Sequence, residues 1–333
     1  MVLFSHKTGI LLAVVIFLTV TPAQAADPLP SWNEGSAKQE ILKFVKESSQ
    51  RSGASFIPLE ERIAVFDNDG TLWVEQPIYT QIVFAIDRVT ALAAQHPEWK
   101  NQEPFRTILS GDKAAMEKFS LQDIEKVVAV THSGMTPAAF QKIVKDWLAQ
   151  AKHPRFQRPY TELVYQPMLE VLKYLRENGF KTYIVTGGGQ EFVRAFAEVV
   201  YGVPPEQVLG SAARTKFQYD PSGKPELVKT AEVLFVNDKA GKPEGINLII
   251  GRRSVAAFGN SDGDRQMLEW TQAGDGARLM VLVHHDDAER EYAYGSDSKI
   301  GTFSDALMEE AQKKGWTVIS IKNDWKRIFF SHR

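Results

Sequence analysis

Arg62-Ile63-Ala64-Val65-Phe66-Asp67-Asn68-Asp69-Gly70-Thr71 is the stretch on which the fold turns. A short apolar run, stopped at once by two carboxylates and a glycine, is how a fully buried parallel strand reads where it opens into a polar turn. Gly70 supplies backbone freedom for that turn. In an open α/β sheet, ligand groups collect beyond the carboxyl ends of the strands, so Asp67 and Asp69 stand where chemistry is expected. On their own they also fit a polar strand-to-turn cap.

On the C-terminal side, residues 76–159 are expected to be helical: Ile78, Ile82, Ala85, Ile86, Val89 and Leu92 recur at steps of three and four, as do Phe140, Ile143, Val144 and Trp147. From about residue 160 helix and strand alternate. Helices are predicted over Pro167–Asn178 and about Gln190–Val200, and strands over Lys181–Val185 and near 255–258, 278–283 and 316–321. This alternation predicts an α/β fold, a doubly wound parallel sheet with an inserted helical cap. Thr215–Asp220, the turn Pro221-Ser222-Gly223-Lys224 and the stretch to Val236 read as an antiparallel hairpin. The α/β core is therefore expected over 26–75 plus 160–333, with the cap over 76–159.

On the N-terminal side, Ile41, Leu42, Phe44 and Val45 mark an amphipathic helix over Ser36–Ser49. Before it, Lys7, the apolar run Gly9–Val20 and Ala23-Gln24-Ala25 have the three-part form of a signal peptide over residues 1–25. The apolar run falls short of the ~20 residues that span a bilayer. The mature chain is thus expected to be periplasmic or secreted, without stable membrane insertion.

Composition narrows the chemistry. The chain has 333 residues, 44% of them hydrophobic, enough for a core and an insertion. Its 39 basic and 41 acidic residues leave a net charge of −2, which argues against a broad nucleic-acid footprint. With no cysteine, thiolate metal sites, disulfides and cysteine nucleophiles are excluded. Any metal must bind oxygen or imidazole.

Two further strand ends carry suggestive groups. Thr186-Gly187-Gly188-Gly189 follows Tyr183-Ile184-Val185, offering a hydroxyl and main-chain N–H groups suited to phosphate oxygens. Gly259-Asn260-Ser261-Asp262-Gly263-Asp264 follows Val255–Phe258 and clusters oxygen ligands of the kind Mg²⁺ prefers. Each alone is also an ordinary turn. All three fall in order at strand ends of one expected sheet, with Lys239 and Lys242 between the second and third.

In these motifs the chain resembles the haloacid dehalogenase-like superfamily, on its phosphatase side and nearest the phosphoserine phosphatase branch. The resemblance spans the mature chain. It implies that Asp67 is a nucleophile forming an aspartyl-phosphate and that Asp69 is the general acid and base. Thr186, Gly187, Gly188 and a lysine would hold the phosphoryl group, with Mg²⁺ bound by Asp67, the Asp69 carbonyl and Asn260 or Asp264. Pro243 next to Lys242 favours that lysine over Lys239, since proline suits a first helical position. Where the family has Asp, this chain has Asn260, and Asp262 is the alternative carboxylate. Glu75 lies one position from the branch's substrate-binding acid, and it equally fits a solvated helix start. An acid such as Asp69 serves alkoxide departure and has no evident use in halide displacement.

The expected activity is Mg²⁺-dependent hydrolysis of a small organic phosphomonoester; an exported enzyme meets scavenged phosphomonoesters rather than a biosynthetic intermediate, which argues against phosphoserine as its dedicated substrate. A phosphotransferase using the same intermediate, or a non-catalytic phosphate-ester binding protein, would carry the same motifs. His284-His285-Asp286-Asp287 reads as a solvated loop, Arg252-Arg253 as an exposed turn, and Trp325 and Phe329 as residues packed on the core.

Overall fold

The computed structural model describes Val2 and residues 26–330. The leader expected over 1–25 lies outside them, Val2 apart. Seven strands form one sheet: β1 (Ile63–Phe66), β2 (Lys181–Gly189), β3 (Val208–Tyr219), β4 (Pro225–Phe235), β5 (Ala256–Gly259), β6 (Leu279–His284) and β7 (Thr317–Ser320). Their order is β4-β3-β2-β1-β5-β6-β7, and every pair is parallel except β3 with β4. After β1 the chain builds outward through β2 and β3, then returns to place β5 on the other side. The order therefore reverses between β1 and β5, and a crevice opens there at the strands' carboxyl ends.

The strand sequences fit this position because side chains alternate faces. Ala64 and Phe66 of β1 join the larger apolar cluster on one face, with Phe258 and Val281; Ile63 and Val65 join the cluster on the other, with Ala257 and Leu282. Both faces of the central strands are covered, so they read as unbroken apolar runs. Phe66 pairs with Phe258 across β1 and β5, and their rings stack with centroids 4.3 Å apart. That stack, together with the 2.9 Å bond from Asp67 N–H to the Phe258 carbonyl, fixes the two strand ends against each other.

Between β1 and β2 the chain forms the helices Thr80–Leu92, Phe105–Ser110, Lys113–Met116, Leu121–His132 and Pro137–Leu148. Their starts follow local chemistry: Ser120 and Asp123 form a reciprocal capping box, and Thr136 caps the helix that begins at Pro137. Ala85, Val89, Trp99, Phe105, Ile108 and Val127 form an apolar cluster of their own. Phe84 and Phe140 instead belong to the main core, where Phe84 meets Phe192 at 5.6 Å.

Several expectations need correction. The hairpin begins earlier than Thr215: β3 starts at Val208, runs parallel beside Ile184 and Val185, and then leaves the core to pair with β4. Its middle, Gly210-Ser211-Ala212-Ala213, lacks the apolar alternation that marks a strand. β2 continues beyond Val185 to Gly189, with a register shift against β3. The helix expected over Gln190–Val200 is two, Gln190–Arg194 and Ala197–Tyr201, separated where Phe196 turns to stack on Trp73 at 4.5 Å. Trp325 is buried and Phe329 packs against the core, as their apolar surfaces predict. No helix among the described residues is long and apolar enough to cross a membrane.

Candidate active site

The turn after β1 is built around a single carbonyl, that of Asn68, which accepts from the N–H groups of Thr71, Leu72 and Trp73. Gly70 adopts φ +76°, and a Cβ there would lie 2.1 Å from Asn260 Nδ2 and 2.3 Å from Glu75 Oε1. Glycine is thus required twice, by conformation and by space. The Gly70 carbonyl accepts a 2.7 Å bond from His285 Nε2, and His285 Nδ1 faces Glu291 at 3.1 Å. The solvated loop expected at residues 284–287 is therefore corrected: His285 and Asp287 are buried, and His285 supports the turn.

The turn projects Asp67 and Asp69 in different directions. Asp67 Oδ1 takes a 2.6 Å bond from Lys242 Nζ, and the same ammonium reaches Asp264 Oδ1 at 2.5 Å. One buried cation thus joins the ends of β1 and β5. Burial works against the Lys242 ammonium, but the two carboxylates outweigh it and hold its pKa above the ordinary lysine value. Lys239 is exposed. Lys242 is the second residue of the helix Gly241–Ile250, so Pro243 sits third and not first. Asp69 Oδ1 accepts from Trp73 Nε1 at 2.8 Å, and burial pushes this carboxyl above its ordinary pKa.

In the last part of β2, past Val185, Thr186 Oγ1 accepts from Gly188 N–H at 3.0 Å. The position a Cβ of Gly188 would fill lies 3.3 Å from Thr186 Oγ1 and 3.8 Å from Asp69 Oδ2, so this loop borders the carboxylate turn. Gly187 is exposed, with Asp238 at the mouth beside it. Asn237 holds the loop from below through the Thr186 and Leu209 carbonyls.

After β5, Asn260 is held on both sides: Oδ1 accepts from Thr71 Oγ1 at 3.1 Å and Nδ2 donates to Glu75 Oε1 at 2.6 Å. Asp262 turns away, accepting from Ser304 Oγ at 2.7 Å, which leaves Asn260 as the motif's group facing the β1 turn. Asp264, expected as an alternative metal ligand, has Oδ1 on Lys242 while Oδ2 accepts from the N–H groups of Asn260 and Ser261. It thereby positions the lysine and the loop, while Oδ1, with Lys242 as its one donor among the described residues, keeps a lone pair beside Asp67. Glu75 is not at a solvated helix start: it is buried, accepts from Tyr294 Oη at 2.6 Å, and is pushed well above its ordinary pKa by burial and the charges of Asp69 and Asp67. Both of these bonds engage Oε1, so Glu75 positions Asn260 through that oxygen and leaves Oε2 without a hydrogen-bond donor among the described residues.

Among the described residues, no three carboxylate or imidazole side chains converge as a metal cage would. The available donors are the second oxygen of Asp67, the Asp69 carbonyl and the remaining lone pairs of Asn260 Oδ1 and Asp264 Oδ1; neither the Asp67 Oδ2 nor the Asp69 carbonyl accepts a protein hydrogen bond among the described residues. Few protein oxygens with room for water suit Mg²⁺, which dehydrates reluctantly. Burial also raises Asp67 well above its ordinary pKa, with Asp264 and Asp69 adding to it against the pull of Lys242. Asp67, Asp69 and Glu75 thus all resist ionisation in one crevice, an excess of buried negative charge that a divalent cation would relieve. The donor set fits.

Sequence reasoning did not single out His285, Tyr294, Gln81 or Trp73 as site residues. His285 was within reach of it, since it directly follows a strand end. Tyr294 arrives from a segment distant in sequence, and Gln81, though it lies at the start of the first helix after the β1 turn, left no local signal.

The model of the haloacid dehalogenase-like hydrolases matches residues 64–269. No relative was found among curated proteins. Among solved structures, a functionally uncharacterised protein of Anaerococcus prevotii DSM 20548 shares 16% identity over 90% of this chain and 97% of its own, with a TM-score of 0.57. A protein of unknown function from Bordetella pertussis Tohama I shares 16% over 78% of this chain and 99% of its own, TM-score 0.49. A probable phosphoserine phosphatase from Vibrio cholerae shares 15% over 86% and 69% respectively, TM-score 0.39. At 16% identity the likeness to the Anaerococcus protein is one of fold.

Proposed function

We propose that this chain, which belongs to the haloacid dehalogenase-like hydrolase family, is an exported, magnesium-dependent phosphomonoester hydrolase working through an aspartyl-phosphate on Asp67. The observation that carries this reading is the Lys242 ammonium, shared between Asp67 and Asp264 at 2.6 and 2.5 Å beside a second carboxyl, Asp69, that it does not bond. A carboxylate nucleophile needs its phosphate target neutralised, and a fixed buried cation at its side contributes to that. Helices within 76–159 would act as a cap over the core.

Asp67 would attack phosphorus, forming an acyl phosphate as the ester P–O bond breaks. Asp69 would give its proton to the departing alkoxide; its raised pKa favours the protonated acid that this step requires. Asp69, now a carboxylate, would take a proton from water, whose oxygen attacks phosphorus, releasing inorganic phosphate and restoring Asp67. Thr186, the Gly187 and Gly188 main chain and Lys242 would hold phosphoryl oxygens in place. Magnesium, when held by Asp67, the Asp69 carbonyl and Asn260, would supply further neutralisation of the phosphoryl oxygens.

The test is phosphate release from a generic aryl phosphate, measured with Mg²⁺, with chelator and with Asp67→Asn. Activity lost in both controls supports metal and nucleophile together. Activity that survives Asp67→Asn overturns the mechanism. Export rests on the sequence of residues 1–25, and a mature N-terminus at Ala26 in an extracytoplasmic fraction would support it.

A further inference from the structure

Beside the crevice a groove of about 480 Å³ runs between the helix pair Leu121–His132 and Pro137–Leu148, the β3–β4 hairpin and the helix Gln190–Arg194. That volume falls within the range of small-molecule sites. Its edge is formed by Gln81 and Gly189, which are joined by a 2.7 Å bond from Gly189 N–H to Gln81 Oε1. Gln81 Nε2 in turn meets His132 Nε2 at 3.1 Å, and His132 Nδ1 meets Thr131 Oγ1 at 2.7 Å, so this edge is fixed from both sides. The point beside Gly188 that lies 3.8 Å from Asp69 Oδ2 also lies 3.3 Å from Gln81 Oε1. The groove therefore begins on the Asp69 side of the crevice. Resting on the hydrolase reading above, where Asp69 protonates the departing oxygen, this is the side toward which the leaving group extends.

One charged group in the groove stands out. Lys229 is 6% exposed, and its ammonium lies 5.0 Å over the Phe140 ring with no bonded carboxylate or carbonyl among the described residues. The nearby carboxylate, Glu191, is already engaged: Oε1 by Arg194 Nη1 at 2.9 Å and Oε2 by Gln141 Nε2 at 2.6 Å. Lys229 is also held in place through its backbone, which exchanges bonds of 2.9 and 2.8 Å with Met135 and Gly134. Glu191 acts on Lys229 only through space, and a buried cation with no directly bonded acceptor is unfavourable unless something binds it. Phe140 and Leu227 line the same groove and offer apolar surface to a spacer.

We propose that the groove receives the leaving group of the substrate and that Lys229 pairs there with an oxyanion carried on it. The substrate class is then a phosphomonoester with a second negatively charged group, a carboxylate or another phosphoryl, set beyond a short apolar spacer.

Binding separates this proposal from turnover. Benzylphosphonate, 4-carboxybenzylphosphonate and the corresponding para-bisphosphonate are titrated calorimetrically into the wild-type protein, Lys229→Met and Lys229→Arg, with Mg²⁺ present. The carboxylated or the bisphosphonate ligand should bind on the order of tenfold tighter than benzylphosphonate in the wild type, as a charge-assisted bond allows. That ratio should fall to near one in Lys229→Met and persist in Lys229→Arg, which also controls for folding. Preference for one of the two anionic ligands identifies the oxyanion. Equal affinities for all three in the wild type, or a preference kept by Lys229→Met, would overturn the proposal, and so would failure of every phosphonate to bind. Should aryl phosphates not be hydrolysed, the hydrolase reading fails separately, while the ligand ratios still decide the role of Lys229.

Discussion

Lys242→Met should destabilise the metal-free protein severely, and by an amount that depends on pH in a stated direction. The Lys242 side chain is 3% exposed and holds Asp67 and Asp264 at 2.6 and 2.5 Å. Methionine keeps the volume and removes the charge, leaving two adjacent carboxylates in a buried site. Breaking a buried pair by deleting one partner costs about 3–5 kcal/mol. For a chain of this length each kcal/mol moves Tm by ~2 °C, so melting in chelator near neutral pH should fall by roughly 6–10 °C. Asp67 already stands well above its ordinary value of 3.8, and without Lys242 nothing pulls it down. A raised carboxyl contributes stability that is complete below the unfolded value and is lost as pH rises through the folded one. The deficit of Lys242→Met should therefore be small in acid and full at neutral pH. Adding Asp67→Asn and Asp264→Asn to Lys242→Met removes the stranded charges and should restore most of the loss. A shift under ~2 °C, or one that does not change with pH, would refute the reasoning that Lys242 is the buried counter-charge of this site.

Gly70→Ala should lose far more stability than Gly111→Ala: both have φ above +70°, which costs about 1–2 kcal/mol, but only at Gly70 would a Cβ meet a neighbour, 2.1 Å away; paired urea melts read the difference. Burial, with Lys229 and Arg88 adding to it, holds His132 down to about 3. Its contribution is thus present above the usual histidine pKa and is lost as pH falls toward 3, at about 1.4 kcal/mol per unit. Wild-type stability measured against His132→Gln should show that slope, and an NMR titration of His132 near its ordinary pKa would contradict it. Asn260→Asp would set a second carboxylate at the 2.6 Å contact with Glu75. It should lower Tm in chelator, with recovery by Mg²⁺ or by Glu75→Gln, followed by scanning fluorimetry.

Local pattern carried much of the fold. Ile63–Phe66 and Ala256–Gly259 are buried on both faces, and burial on both faces is what an unbroken apolar run encodes. The turns after them show as Asp, Asn and Gly because a strand leaving a core must at once solvate its backbone. Where one segment serves two neighbours, the pattern failed: β3 begins as a parallel core strand and ends as a hairpin arm, and no single periodicity describes both. The phosphatase-side motifs were likewise readable as three strand ends, while the orientation of each side chain was not. Asp262 and Asn260 are two residues apart and equally plausible in sequence, yet one bonds Ser304 and the other faces Glu75.

By itself the sequence determined the strand–helix alternation, the positions of Asp67, Asp69, Thr186 and Asn260 at strand ends, and the absence of thiol chemistry. These follow from local steric and solvation rules acting over a few residues. Only the tertiary structure decided that Lys242 rather than Lys239 meets Asp67, that Glu75 is buried against Asn260, that His285 supports Gly70, and that Lys229 lies over Phe140 in the groove without a bonded acceptor among the described residues. Each of those depends on the strand order β2-β1-β5-β6 and on the contact of the inserted helices with the hairpin. Such contacts join residues far apart in the chain, and their energies arise from burial and charge in the assembled core, which no local stretch of sequence contains.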